Sequence, residues 1–393
     1  MNPNPPSRTR LPFRRPSPRR ATARRGRPGG LPRFMTGSAR DAINLRWNYK
    51  DAINLATGEW TRAGYRAPAC YVTNAWPIVR ATFSAAPADL SSVTLLAETD
   101  AAIGGFAATN VAFAAGAASD VALSTQSTTT NCILKESFDL TWKAVVSNGT
   151  DVVTNTLGRT DGHVLYTILG EPVEPWNNTK ITNQNAWASA LDVVCSNGWA
   201  KGCTNCDDAA STITKAIFDS NCFRYDTSNG AIRLMSATGK FRLSHSIEVL
   251  NKRRKAWVNC ADCARMTTSF ANLTGCELSS SRMGYSFRLN PITAIGTSPW
   301  TPPNWGWGFN YHEVAWAGLG NDGDKVFDAC LQLDGDDNPS SGPHSPMYAA
   351  NIIFSDGSAA PPLVYRERLS APGVGGYGQC IARPTTKHRY EIE

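Results

Sequence analysis

Charge is scarce in this chain of 393 residues, of which only 18% are Asp, Glu, Lys or Arg. No run approaches the ~18 apolar residues that a membrane helix requires, so no spanning segment is expected. Acidic residues are missing altogether from the first 34 positions, which hold ten Arg and no Lys. Taking that +10 from the formal net charge of +7 leaves −3 for Met35 to Glu393. A slightly acidic body excludes a basic nucleic-acid groove in the folded part, and confines any such contact to the Arg-rich tail. The same segment lacks the apolar part of a signal peptide, and its eight Pro rule out an amphipathic targeting helix. Residues 1–34 therefore read as a disordered Arg/Pro-rich tail, or as sequence ahead of a true start at Met35. With no export or membrane segment in view, the expected location is the cytoplasm. Eleven Cys, an odd number, are too few for a disulfide scaffold. Most are expected to be small buried hydrophobes in a reducing compartment.

What is present points to a folded, sheet-rich chain. Hydrophobic residues make up 42%, with twelve Trp, and the length suggests about two domains. A direct repeat, Asp41-Ala-Ile-Asn-Leu45 and Asp51-Ala-Ile-Asn-Leu55, is too short for a solenoid and reads as paired strand or turn segments. Between about Tyr71 and Leu169 the hydrophobic period is two. Phe138, Leu140, Trp142, Ala144 and Val146 share one strand face, Val93, Leu95 and Ala97 repeat the pattern, and His163 to Leu169 reads as a further strand. Asn148-Gly149 marks a turn between such runs. Residues 35–172 thus suggest a β-sandwich-like domain.

A Pro-rich joint at Pro172 to Trp176 changes the texture. Helical spacing predicts helices over Ala186 to Val194, Ala209 to Ser220, Ser244 to Lys255 and Cys260 to Leu273. The last has Cys263, Met266, Phe270 and Leu273 on one stripe, Asn259 as N-cap, Asp262 in its first turn and Gly275 at C′. Strands follow at Met283 to Leu289, Tyr311 to Trp316 and Val326 to Leu333. Helices first and strands later imply an α+β class.

Cys260 opens the fourth helix, where the helix N-terminus favours a thiolate. A thiolate becomes a nucleophile when an imidazole can reach it. Of five His, His163 lies in the sandwich, His344 in a Pro-flanked loop and His388 near the end, while His245 is a moderate competitor. His312 is best placed, on a strand with Val314 and Trp316. On the next strand Phe327, Ala329, Leu331 and Leu333 form one face, so Asp328 turns the other way. A hairpin centred on Gly320 would set Asp328 directly across from His312, where a carboxylate orients an imidazole.

These segments resemble the transglutaminase-like superfamily of papain-like cysteine enzymes. Val258-Asn-Cys-Ala-Asp-Cys-Ala264, closing at Gly275-Cys276, is similar to its nucleophile helix. Tyr311-His-Glu-Val-Ala-Trp316 resembles its histidine strand, and Val326-Phe-Asp-Ala-Cys330 its aspartate strand. The resemblance covers residues 173–393 as a domain. It implies Cys260 as nucleophile, His312 as base and Asp328 as orienter, in a thiol-dependent enzyme acting on amide or peptide bonds of a protein or peptide. Hydrolysis is favoured over transamidation, since it needs no second-substrate pocket, and no cofactor or metal is called for. The backbone N–H of Cys260 is one candidate for the oxyanion hole. The competing expectation is a catalytically inactive scaffold that keeps the fold and binds a partner.

Other features have plainer readings. Cys203-x-x-Cys206 and Cys260-x-x-Cys263 are spaced too widely for a zinc ribbon, and the first pair suits a local disulfide or free thiols in a loop. Asp334, Asp336 and Asp337 read as an acidic turn rather than a Ca²⁺ loop. Lys252 to Lys255 form a solvated helix end. Trp300, Trp305 and Trp307 suit either loop packing or a rim of apolar anchors. Asn148, Asn177 and Asn272 match glycosylation acceptors, relevant only to a secreted protein.

Overall fold

The structure is a computed structural model that describes residues 33–49, 59–61, 67–85, 90–148, 151–177, 185–297, 300, 308–373 and 379–393. The tail up to residue 32, the second copy of the repeat, Gly149, Trp305 and Trp307 lie outside the described residues. The chain is a mixed, sheet-rich α+β protein.

The two-residue period builds one continuous sheet of nine strands. Its order is Glu59–Thr61, Arg33–Arg40, Ile78–Ser84, Ala117–Thr125, Phe106–Phe113, Leu90–Glu98, Leu134–Asn148, Asp151–Ile168 and Ala69–Val72. Arg33–Arg40 also approaches Asp151–Ile168, so the sheet curls around its own core. Alternate residues fill that core: Val93, Leu95 and Ala97 from one strand, Leu140, Trp142 and Ala144 from its neighbour. Trp142 satisfies its buried indole N–H on Thr160 Oγ1 at 2.9 Å. The Asn148 turn joins the two longest strands, with Asn148 paired to Asp151.

Beyond the Pro-rich joint come α1 (Ala188–Val194), α2 (Cys206–Asp219), α3 (Leu243–Lys252) and α4 (Cys260–Leu273). A short α5 (Tyr365–Leu369) follows much later. α2 begins earlier than its apolar spacing suggests, because Asn205 caps it through Asp208 N–H at 2.9 Å, and so Cys206 belongs to the helix and not to a loop. α3 stops at Lys252 because Arg253 turns into the left-handed region at φ 48°.

A six-stranded sheet carries the second half. Its path runs Thr293–Ala294, Lys325–Asp334, His312–Ala317, Leu278–Met283 and Ala382–His388, with Pro346–Ile353 also paired to Lys325–Asp334. Two expectations are corrected here. Met283 to Leu289 is not one strand: the strand ends at Met283, and the chain bends at Gly284 (φ 82°) and Ser286 (φ 57°) before Phe287–Arg288. The His312 and Asp328 strands are also not centred on Gly320. Ala315 pairs with Phe327 and Trp316 with Val326, which centres the hairpin on Asn321. Three backbone N–H groups, of Leu319, Gly320 and Asn321, converge on Asp324 Oδ2 and set that wider turn.

α4 lies against this sheet and is enclosed on its other sides by α1, α2 and α3. All fourteen of its residues are buried, including Thr267, Ser269 and Asn272. Asn272 donates to the carbonyls of Glu174 (2.7 Å) and Leu278 (3.0 Å). Such a side chain is closed to glycosylation. The helix ends as its sequence suggests, on Gly275 at φ +89°. There the two halves of the chain touch: a Cβ on Gly275 would sit 2.6 Å from the Cα of Gly170, which follows the first sheet's longest strand. Gly275→Ala combines a left-handed backbone with a backbone clash and should destabilise the fold by about 2–4 kcal/mol, read as a lower urea midpoint.

Candidate active site

The start of α4 is fixed by a capping box. Asn259 Oδ1 accepts the Asp262 N–H at 3.0 Å, and Asp262 Oδ2 accepts the Asn259 N–H at 3.1 Å. Asp262 also takes the N–H groups of Arg233 (2.8 Å) and Leu234 (3.0 Å), while Asn259 donates to the Gly230 carbonyl at 2.8 Å. One carboxylate thus anchors both the helix and the loop beside it. Burial pushes the Asp262 carboxyl up, and the three N–H donors partly oppose that. Capping engages the N–H of Asp262 and of Cys263, leaving those of Cys260 and Ala261 without an intrahelical acceptor.

Cys260 stands at this helix start, 5% exposed, above a fully buried His312. His312 Nε2 donates to Asp328 Oδ2 at 2.9 Å. The shifted register sets the two residues diagonally instead of opposite, a spacing that still lets long side chains on one face meet. The other ring nitrogen, Nδ1, makes no regular hydrogen bond, and the Cys260 thiol interacts with the same ring. Cysteine, histidine and aspartate are therefore brought together, in that order. Burial alone pushes the imidazole down. The Asp328 carboxylate and then the Cys260 sulfur outweigh it and hold His312 up at about 10.

Residues with no motif to announce them complete the surroundings. Tyr365, at the start of α5 and fully buried, donates its hydroxyl to Asp328 Oδ2 at 2.8 Å. The Cys330 N–H holds Asp328 Oδ1 at 2.8 Å. Asp328 thus has a donor for each oxygen besides the imidazole, which satisfies a buried carboxylate. Phe309 stacks on the His312 ring at 4.9 Å and an interplanar angle of 4°, limiting its rotation. Tyr225 is buried too, and burial, then the Cys260 sulfur, push its phenol up. Tyr365→Phe leaves a buried carboxylate short of one donor and should cost about 1–3 kcal/mol in a urea unfolding curve.

The remaining histidines lie elsewhere. His163 bonds Thr160 Oγ1 at 2.7 Å in the first sheet, and His245 approaches Glu248 on α3 at 4.0 Å. His388 packs on Tyr390. His344 bonds Asp334 at 2.6 Å and lies beside Trp300. Asp334 also takes the Ser345 N–H at 2.8 Å, so its oxygens stitch the acidic turn together. Among the described residues no group of three or more His, Cys, Asp or Glu is placed to hold a metal. Nor is any helix among them long and apolar enough to cross a membrane. The half-exposed Trp257 carries the Arg224 guanidinium over its ring at 5.1 Å.

Fold and site together define a sheet-rich α+β protein with a buried Cys–His–Asp chain at the head of its central helix. No protein-family model matches the sequence, and no curated protein does. Among solved structures the chain is similar to the transglutaminase of red sea bream, at 11% identity and a TM-score of 0.32 over 68% of its length. It spans half, 50%, of the length of that enzyme. At so remote a likeness, the side chains themselves have to support any functional reading.

Proposed function

We propose that this protein is a transglutaminase-like cysteine enzyme that transfers an acyl group from an amide or peptide bond through Cys260, His312 and Asp328. The observation that carries the reading is the buried relay of Asp328 to His312 to a cysteine at a capped helix start. In this reading the Cys260 sulfur attacks the carbonyl carbon, and the N–H groups of Cys260 and Ala261 face the developing oxyanion. His312 passes its proton to the leaving amine, leaving a thioester. Water then gives a proton to His312 and attacks the thioester; the C–S bond breaks, the acyl group leaves as a carboxylic acid, and the sulfur is returned as a thiolate beside the protonated imidazole. Hydrolysis is favoured over transfer to a second amine. The chain is organised as an Arg/Pro-rich tail, a sheet domain ending at 172 and a catalytic domain (173–393); the tail expected over 1–34 yields Arg33 and Phe34 to the first strand of the sheet, where they pair with Ser84 and Phe83. The substrate is a protein or peptide, approaching from the side on which Cys260 keeps its slight exposure.

Iodoacetamide labelling between pH 5 and 9, mapped by mass spectrometry, tests the reading directly. Cys260 should be modified at pH 6 faster than any of the other ten cysteines. Glutaminyl peptides should release ammonia, or peptides be cleaved, with both activities lost in Cys260→Ser. Labelling of Cys260 at the pace of a generic thiol, with no turnover, would leave the inactive binding scaffold as the better account.

A further inference from the structure

Two cysteines that the Cys260 chemistry does not use meet at the opposite end of α4. Cys206 is the first residue of α2 and half-buried, so a solution reagent can reach it. Cys276 follows the Gly275 turn and is buried. Its Sγ lies 3.7 Å from the Cys206 carbonyl oxygen and 3.4 Å from Thr274 Oγ1. The two thiols influence each other's acidity, and α2, which Cys206 opens, packs against α4, whose last residue lies three before Cys276. Cys203 is the nearer neighbour of Cys206 in sequence, but its sulfur turns to Thr212 Oγ1 at 3.7 Å.

We infer that Cys206 and Cys276 form a disulfide in an oxidising environment, a covalent tie between the start of α2 and the end of the helix that begins with Cys260. The pair is asymmetric, which gives the reaction a direction. Contact with Cys276 holds the Cys206 thiol below its ordinary range, whereas that same contact and burial push Cys276 up. Cys206 is therefore the sulfur that attacks first. With a low-molecular-weight disulfide as oxidant, the Cys206 thiolate displaces one thiolate and forms a mixed disulfide. Cys276 then attacks the Cys206 sulfur, and its proton leaves with the second displaced thiol. Two protein thiols lose two electrons, and the reagent becomes two thiols. The residues are 70 apart in the chain, so the bond closes a long loop and constrains the unfolded state strongly.

The test uses the full chain, equilibrated with oxidised or reduced glutathione, alkylated and digested without reduction. A peptide joining Cys206 to Cys276 is expected in the oxidised sample, absent from Cys206→Ser and from Cys276→Ser. The oxidised wild type should melt on the order of 5–15 °C above its reduced form, and half-exposed Cys206→Ser should abolish that difference without altering the reduced melt. A Cys203–Cys206 link in its place, or both thiols still open to alkylation at a poise that oxidises a simple dithiol peptide, would overturn the inference. Cys260 activity does not enter either readout, so the result stands apart from the proposed reaction.

Discussion

Replacing His312 by Ala is expected to slow amide turnover by at least about 10³-fold. The imidazole is asked for two things: to keep the sulfur charged and to protonate the leaving amine. Only the first is visible in alkylation, so the two readouts separate the roles. An isolated thiol of ordinary acidity is about 0.3% thiolate at pH 6, whereas a sulfur paired with imidazolium is mostly thiolate. The lower basicity of the paired sulfur returns part of that gain, because nucleophilicity falls with pKa. Labelling of Cys260 should therefore drop roughly ten- to a hundredfold at pH 6 in His312→Ala. His312 is held up at about 10 by Asp328 and Cys260 against its own burial. The group is raised, so the protonated form is the one the folded site favours. The wild-type advantage is largest in mild acid and closes as pH rises towards about 8.5, where a thiol without an imidazole partner ionises unaided. Equal labelling of the two proteins at pH 6 would sink the pairing of sulfur and imidazole.

Much of this site was legible in the sequence because its parts follow local rules. Asn259, Asp262 and Gly275 mark the two ends of α4 by capping chemistry that depends on neighbours along the chain, and both ends fall where those residues put them. Alternation on the His312 and Asp328 strands likewise turns Asp328 and Cys330 away from Phe327 and Ala329. Register is a different matter. The hairpin centre moved by one residue because Asp324 gathers three N–H groups of the turn, an arrangement that side-chain periodicity does not encode. The His–Asp contact survives because a diagonal pair on one face stays within reach.

Other features depend on contacts between distant segments. Tyr365 lies 37 positions from Asp328 and has no spacing rule that ties it to a carboxylate. Nothing in the spacing of Thr267, Ser269 and Asn272 along α4 marks them for burial. They are buried because α1, α2 and α3 close over the helix, and Asn272 is satisfied by carbonyls at residues 174 and 278. Cys206 has the same history. A CxxC spacing directs attention to Cys203, whereas the helix that starts at Cys206 brings its thiol to Cys276.

Asp328→Asn should produce the second large effect, a fall in turnover of about 10³–10⁴-fold with little change in shape. Asp328 accepts on both oxygens: Oδ2 from His312 Nε2 and the Tyr365 hydroxyl, Oδ1 from the Cys330 N–H. An amide offers one oxygen and one NH₂, and the site has no orientation that suits it. With the oxygen towards His312 and Tyr365, the NH₂ meets the Cys330 N–H, donor against donor. Turned round, the NH₂ faces His312 Nε2 and can be accepted only if that nitrogen has lost its proton, which places the remaining proton on Nδ1, beside the sulfur. Either way the negative charge that holds the imidazole up is gone, and burial then pushes it down without opposition. Cys260 labelling at pH 6 should fall towards the His312→Ala rate, although the ring is still present. That comparison discriminates orientation and charge from mere presence of a base. If Asp328→Asn kept turnover within about threefold of wild type, the carboxylate would be a structural partner of Tyr365 and Cys330, and His312 would have to find its protonated state without it.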